Sequence, residues 1–233
     1  MSKLNQIQIL AFDVFGTVVD WHSSIVKELD AMNLEIDANQ FALDWRAGYR
    51  PAMDRVLAGE LPWTSIDELH RIILDELIIR YDLHRLTELQ LIHLNHVWHR
   101  LQPWQDSVTA LKQLKEKYII CTLSNGNIRL LVDMAKNAKL PWDYIFSAEN
   151  FSAYKPSPKT YLGVAELLNV KPDQVLMVAA HHDDLAAARS CGLLTAYIER
   201  PLEFGSSQIK DVSPCTDNDL HATDLLNLVN QLK

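Results

Sequence analysis

The first apolar run, Ile9-Leu10-Ala11-Phe12, has no polar break and passes directly into Asp13-Val14-Phe15-Gly16-Thr17, which predicts a buried strand ending in a turn. From residue 21 to residue 102 strand-like runs disappear, and apolar positions recur at helical spacing. Within that stretch Ser65-Ile66-Asp67-Glu68 and Thr87-Glu88-Leu89-Gln90 each fit a capping box, in which a hydroxyl and a later carboxylate or amide satisfy orphan N–H groups reciprocally. Each therefore predicts the start of an amphipathic helix. Pro103 marks a boundary, and from Trp104 the pattern alternates. A helix precedes the apolar strand Tyr118 to Leu123; a helix, a strand near Tyr144 to Ser147 and a helix after Pro158 follow. Then come a strand over Val175 to Val178 and a helix from Asp184 to Cys191, stopped by Gly192. Such alternation predicts an α/β fold with a doubly wound parallel sheet covered on both faces. The helical stretch interrupts this core after its first strand, so residues 1–20 and 103–233 are expected to form the core domain and 21–102 a helical cap. Gly205 to Asp217, rich in Ser, Asp and Gly, reads as a long surface loop, and no internal repeat is present.

Composition narrows the possibilities without changing this outline. With 233 residues, 48% of them hydrophobic and 22% charged, the chain can bury a substantial core. A formal charge of -8 argues against a surface built for nucleic acid or an anionic membrane, while leaving room for a local basic pocket. Cys121, Cys191 and Cys215 are odd in number and lack metal-ligand spacing, as expected for reduced thiols of a cytosolic protein. No signal-peptide pattern opens the sequence and no apolar run approaches membrane-spanning length, so the expected location is the cytoplasm.

The candidate chemistry lies where strands end, because open α/β sheets bind ligands outside the carboxyl ends of their strands. Asp13 and Thr17 follow the first strand, Ser124 and Asn125 the second, and His181 to Asp184 a later one. Lys155, in Tyr154-Lys155-Pro156-Ser157-Pro158, adds a cation from a rigid turn. A carboxylate nucleophile, hydroxyl and amide donors and an ammonium together describe covalent catalysis on a small anionic electrophile, the lysine offsetting repulsion between Asp13 and that anion. Ser124 lacks a Gly-x-Ser-x-Gly elbow, which rejects a serine hydrolase. His182 and Asp183 read as exposed neighbours; adjacent residues on a turn point apart, so they do not predict a metal site. Asp184 also suits the start of a helix, where a carboxylate meets the dipole.

Asp13-Val14-Phe15-Gly16-Thr17, Leu123-Ser124-Asn125-Gly126, Lys155-Pro156-Ser157-Pro158 and Val178 to Gly192 match, in order, the four motifs of the haloacid dehalogenase superfamily. The resemblance covers essentially the whole chain and implies a Rossmann-like core. It is strongest to the type II (S)-2-haloacid dehalogenases, which share Trp45-Arg46 and Trp98-His99-Arg100-Leu101-Gln102-Pro103-Trp104. It implies attack by Asp13 on Cα of a short-chain 2-haloacid with inversion, then hydrolysis of the aspartyl ester to a 2-hydroxy acid, with no metal or other cofactor. By matching position, Thr17 would hold Asp13, Ser124 and backbone N–H groups the substrate carboxylate, and Arg46 with Asn125 the halide. Arg50, one helical turn on, is the other candidate for the arginine. Lys155 would lower the pKa of Asp13, and Asp184 would orient Lys155 and the hydrolytic water. Phe15 and Trp63, with Leu43 as a further candidate, would wall Cα; Trp45, Trp98 and Trp104 are expected to be packing residues. A homodimer is compatible with apolar cap helices, as in many relatives.

The superfamily is mostly phosphatases, so the departures matter. A phosphatase of this type has a second aspartate two residues after the nucleophile and a further acidic residue in the fourth motif that helps to hold magnesium. Here those positions hold Phe15 and Ala180. A halide leaves as a stable anion without protonation, so carbon–halogen chemistry loses nothing by these changes, whereas phosphoester cleavage would lose its acid and its metal. A magnesium-dependent phosphatase for a small metabolite and a non-catalytic binding protein are the rival expectations. His181 stands where the best-known dehalogenases have Asn. As a donor beside the leaving group, it is expected to favour a strongly hydrogen-bonding halide such as fluoride.

Overall fold

The computed structural model describes residues 3–233. Strand β1 (Ile9–Phe12) lies at the centre of a six-stranded sheet, between β4 (Ile119–Ser124) and β6 (Val175–Ala179). Outside them lie β5 (Tyr144–Ser147) on one edge and β7 (Leu194–Ile198) then β8 (Leu220–Ala222) on the other; every pairing is parallel. Strand order thus reverses on either side of β1, which makes its carboxyl end a topological switch point and opens a crevice there.

The alternation of side chains along β1 explains why the run is apolar throughout. Leu10 and Phe12 enter one hydrophobic core and Ile9 and Ala11 the other, because successive residues point to opposite faces and both faces are covered. Helices α5 (Ser107–Lys115), α6 (Ile128–Ala138) and α10 (Leu225–Gln231) supply residues such as Leu111, Leu130 and Leu228 to the first face. Helices α8 (Pro158–Leu167) and α9 (His182–Ser190) supply Val164 and Leu185 to the second; α7 (Ala148–Phe151) is a single turn after β5.

Between residues 21 and 100 the chain forms α1 (Trp21–Ala31), α2 (Ala38–Leu57), α3 (Ile66–Arg80), α4 (Glu88–Asn95) and a short 3₁₀ segment (His96–Arg100), and adds no strand to the large sheet. Both predicted capping boxes are formed, Ser65 with Glu68 and Thr87 with Gln90. The sequence pattern gave no sign of the clamp at the root of this insertion. There β2 (Val19–Asp20) pairs antiparallel with β3 (Gln102–Pro103), bringing the outgoing and returning chain together. His99 makes a second link, 3.0 Å from Asp67 on α3 and 3.1 Å from Asp133 on α6. Strands β7 and β8 and helix α10 also extend beyond the alternation read from sequence, which ended at Gly192. Helix α9 begins at His182, two residues before the expected start. The segment 205–217 is irregular, as expected, and all three cysteines are unpaired. Among the described residues, no helix is long and apolar enough to cross a membrane.

Arg200, just beyond β7, ties this framework to the turn after β1. It is 6% exposed, donates to the Thr17 carbonyl at 2.9 Å, and pairs with Asp106 at 2.8 Å; Asp106 also accepts from the Leu225 N–H at 2.7 Å. Removing the guanidinium leaves a buried carboxylate unpaired, so Arg200→Met is expected to destabilise the fold by about 3–5 kcal/mol in urea unfolding. A loss below about 1 kcal/mol, the range of exposed ion pairs, would contradict a structural role for this pair.

Candidate active site

Asp13 stands one residue beyond β1 and is 7% exposed. It faces a cavity of about 320 Å³, lined on the core side by Phe15, Ser124, Asn125, Lys155, Tyr161, His181 and Asp184. The facing wall comes from the helical insertion and includes Arg46, Tyr49, Met53, His70 and Trp98.

The two oxygens of Asp13 are held differently. Oδ2 accepts from the Thr17 hydroxyl at 2.8 Å and lies 3.2 Å from Nδ1 of His181, while Oδ1 accepts from Lys155 Nζ at 3.0 Å. Thr17 is fixed in turn, its Oγ1 accepting from the Ala180 N–H at 2.9 Å. Burial alone would raise the Asp13 carboxyl, but Lys155 and then His181 override it and hold Asp13 far below the usual carboxylate range. Lys155 also donates to Asp184 Oδ2 at 2.5 Å, and Tyr161 donates to Asp184 Oδ1 at 2.6 Å. Burial works against the charge of Lys155, yet Asp13 and Asp184 together push it above the ordinary ammonium range. Asp184 moves upward, principally through burial, with Lys155 opposing and Asp13 adding to the rise.

A second set of charges lies behind His181. Its Nε2 is 2.8 Å from Oε1 of Glu203, a fully buried side chain whose Oε2 accepts from Lys210 Nζ at 2.5 Å. Burial opposes the imidazolium, but Glu203 and Asp13 outweigh it and push His181 up to about 9. For Glu203 burial acts upward, while His181 and Lys210 bring it down to about 2. Gly16, in the turn after Asp13, has φ +80° and no room for a side chain, since a Cβ there would collide with Glu203 Oε1. Glu203, Lys210 and Tyr161 were not singled out from sequence. Glu203 and Lys210 lie around a loop of polar composition, and only the fold shows that they turn inward.

Of the expected site residues, Asp13, Phe15, Arg46, Ser124, Asn125, Lys155, His181 and Asp184 all line the cavity, and Thr17 braces Asp13 from within the core. Asn125 holds the lysine loop, its Oδ1 accepting from the Lys155 N–H at 2.6 Å. Trp63 is a correction. It is 43% exposed, lies outside the cavity lining and stacks on Tyr154 with ring centres 4.6 Å apart. Leu43 also lies outside the lining, packed against the main core. The indole that meets the cavity is instead that of Trp98, 1% exposed and stacked on His70 at 4.0 Å. Its position between core and cavity combines the packing role expected of it with a place in the wall. Asp183, expected to be merely exposed, also reaches the lining.

His181 is a second correction. Its two ring nitrogens face Asp13 and Glu203, so it attends Asp13 and has no nitrogen left for a group across the cavity. The unspent polar capacity lies on the opposite wall, where Arg46 Nε, His70 Nδ1 and Trp98 Nε1 are buried without a hydrogen-bond partner. Among the described residues no carboxylate pairs with Arg46, whose guanidinium lies 4.7 Å from the Tyr49 ring centre. Arg50 reaches the same cavity but is tied to Asp54 at 2.8 Å. Burial holds His70 down to about 3, so this ring is neutral beside Arg46.

The arrangement supplies an ionised carboxylate, cations that stabilise it and an unpaired guanidinium across a small cavity. Known proteins share the fold that carries these residues. A crystal structure of an L-2-haloacid dehalogenase superposes with a TM-score of 0.93 at 44% identity, covering 97% of this chain and all of the other. That of a defluorinating L-2-haloacid dehalogenase gives 0.92 at 43% identity, over 97% and 95% of the two chains. In sequence, (S)-2-haloacid dehalogenase 4A of Burkholderia cepacia is 28% identical over 216 residues, 89% of this chain and 90% of that protein. Residues 7–192 match the profile of the haloacid dehalogenase-like hydrolases, and the chain belongs to that family.

Proposed function

We propose that this protein hydrolyses short-chain 2-haloacids to 2-hydroxy acids through a covalent ester of Asp13. The observation that carries this reading is an ionised Asp13 facing, across one cavity, an arginine with no carboxylate partner. A nucleophile and a site for the departing anion are thus on opposite walls, as in-line displacement at Cα requires. Similarity to 2-haloacid dehalogenases over nearly the full chain supports the same substrate class.

In the proposed reaction Ser124 and nearby backbone N–H groups receive the substrate carboxylate, and Phe15 and Trp98 wall the reacting carbon. Asp13 attacks Cα with inversion, the carbon–halogen bond breaks, and the halide leaves with its electron pair toward Arg46. Lys155 offsets the repulsion between Asp13 and the anionic substrate. Water then attacks Cγ of Asp13, its proton passing by way of Asp184 to the departing alkoxide. Residues 21–102 act as a cap that excludes bulk water, and residues 1–20 with 103–233 form the core that holds the nucleophile.

The residues present do not fit the magnesium site of the phosphatases. Phe15 and Ala180 offer no ligand side chains at the two positions where a phosphatase carries acids.

Chloride release from chloroacetate and (S)-2-chloropropionate is expected to persist in excess chelator; chelator-sensitive phosphate release without chloride release would overturn the reading. Asp13→Asn should lower turnover by on the order of 10⁴-fold or more, the scale seen when an enzyme loses its nucleophile. Arg46→Leu should lower kcat/KM for chloroacetate by on the order of 10²-fold, as for a lost electrostatic donor. Arg50→Leu should cost less than about tenfold, since its charge is already answered by Asp54.

A further inference from the structure

The unequal holding of the two Asp13 oxygens has a consequence for the second half of the reaction. Oδ1 accepts a single hydrogen bond, from Lys155, whereas Oδ2 is faced by both Thr17 Oγ1 at 2.8 Å and His181 Nδ1 at 3.2 Å. The less encumbered Oδ1 is therefore the attacking atom, and Oδ2 becomes the carbonyl oxygen of the ester. When water adds to Cγ, the electron pair of the Cγ–Oδ2 double bond moves onto Oδ2. We propose that His181, with the Thr17 hydroxyl, forms the oxyanion hole for hydrolysis of the Asp13 ester, and that Glu203 and Lys210 are positioning residues for it. This rests on the haloacid reading above, and assigns the step after halide has left.

The supporting geometry is independent of any titration. Glu203 is fully buried, and its carboxylate is fixed from three sides: by His181 at 2.8 Å, by Lys210 at 2.5 Å and by the Trp21 indole N–H at 3.4 Å. Lys210 also donates to the Ala180 carbonyl at 2.5 Å, one residue before His181. Gly16 leaves the space that the Glu203 carboxylate occupies. A carboxylate on Nε2 holds the imidazole so that Nδ1–H points at Oδ2, and preorganised donors of this kind act where charge develops. The mechanism ends with the tetrahedral intermediate collapsing: the Cγ–Oδ1 bond breaks, the alkoxide takes the proton carried by Asp184, and Asp13 is regenerated.

The charged groups around His181 fix the sign of its pH response. Asp13 and Glu203 face its two nitrogens, Lys210 lies beyond Glu203, and Lys155 lies beyond Asp13 with Asp184 behind it. Both carboxylates raise His181, which is pushed up to about 9 in the free protein. Esterification removes the Asp13 charge and leaves Glu203 as its counter-ion. Deprotonation of the ring weakens the donor, so ester hydrolysis should fall as pH rises through the His181 pKa.

Rapid-quench measurement of chloride and glycolate from chloroacetate separates the steps. In His181→Ala, chloride should appear in a burst of one equivalent per site and glycolate should follow on the order of 10² to 10³-fold more slowly than in the parent protein. The ester should then be detectable on the peptide containing Asp13 by mass spectrometry. His181→Gln, which keeps an N–H donor, should recover part of the second step and covers the case in which the alanine variant does not fold. Glu203→Gln should move the alkaline fall in glycolate release to lower pH. Equal slowing of chloride and glycolate in the histidine variants without ester accumulation would overturn the proposal. So would parent-protein hydrolysis that rises with pH through the His181 pKa, the mark of a general base. Absence of chloride release from the parent protein would instead defeat the haloacid reading itself.

Discussion

The Lys155 ammonium between Asp13 and Asp184 is the interaction on which the site depends. Two buried carboxylates this close to one cation cannot both stay ionised without it, since burial favours the neutral acid and each charge repels the other. The same logic continues through His181, Glu203 and Lys210, so that anions and cations alternate along one buried line from Asp184 to Lys210. Three carboxylates are answered by three cations, and the line holds Asp13 ionised in a place where its own burial argues against it. Arg46, across the cavity, stands outside this balance, and its charge is available to an incoming anion.

The fold supplies these charges from separate parts of the chain at one end of the sheet. Asp13, Ser124 and the segment from Ala180 to Asp184 stand at the carboxyl ends of three adjacent parallel strands, so register alone brings them together. Lys155 reaches the same point from the turn before α8, and Glu203 and Lys210 from the chain beyond β7. The turn carrying Asp13 is fastened from outside by Arg200 on the Thr17 carbonyl and by the Trp104 indole on the Gly16 carbonyl. A side chain on such a turn keeps its direction because the backbone around it is tied to the framework.

The parts legible in the sequence were those set by local pattern. The unbroken apolar strand, the two capping boxes and the alternation after Pro103 each follow from short-range rules, and the four motifs picked out residues that the fold brings to one cavity. Long-range partners were less visible. Glu203 sits beside a polar stretch whose composition signals a loop, and nothing local marks it as fully buried. Trp63 lies outside the wall expected of it, and Trp98 adds a place in that wall to its expected packing, because indoles are equally suited to packing and to lining a cavity; which does which depends on how the insertion folds back on the core. His181 lines the cavity with the other motif residues, but the direction its ring faces is decided by Glu203, outside the motifs.

In the proposed reaction Asp13 attacks carbon and is itself the source of the new hydroxyl oxygen. Its most direct test is a single turnover with enzyme in excess over (S)-2-chloropropionate in oxygen-labelled water. Attack by Asp13 gives unlabelled lactate and label in the Asp13 carboxylate, because water adds to Cγ and the bond broken is Cγ–Oδ1. Label in the lactate, with none in Asp13, would show that water attacks Cα directly and would contradict it.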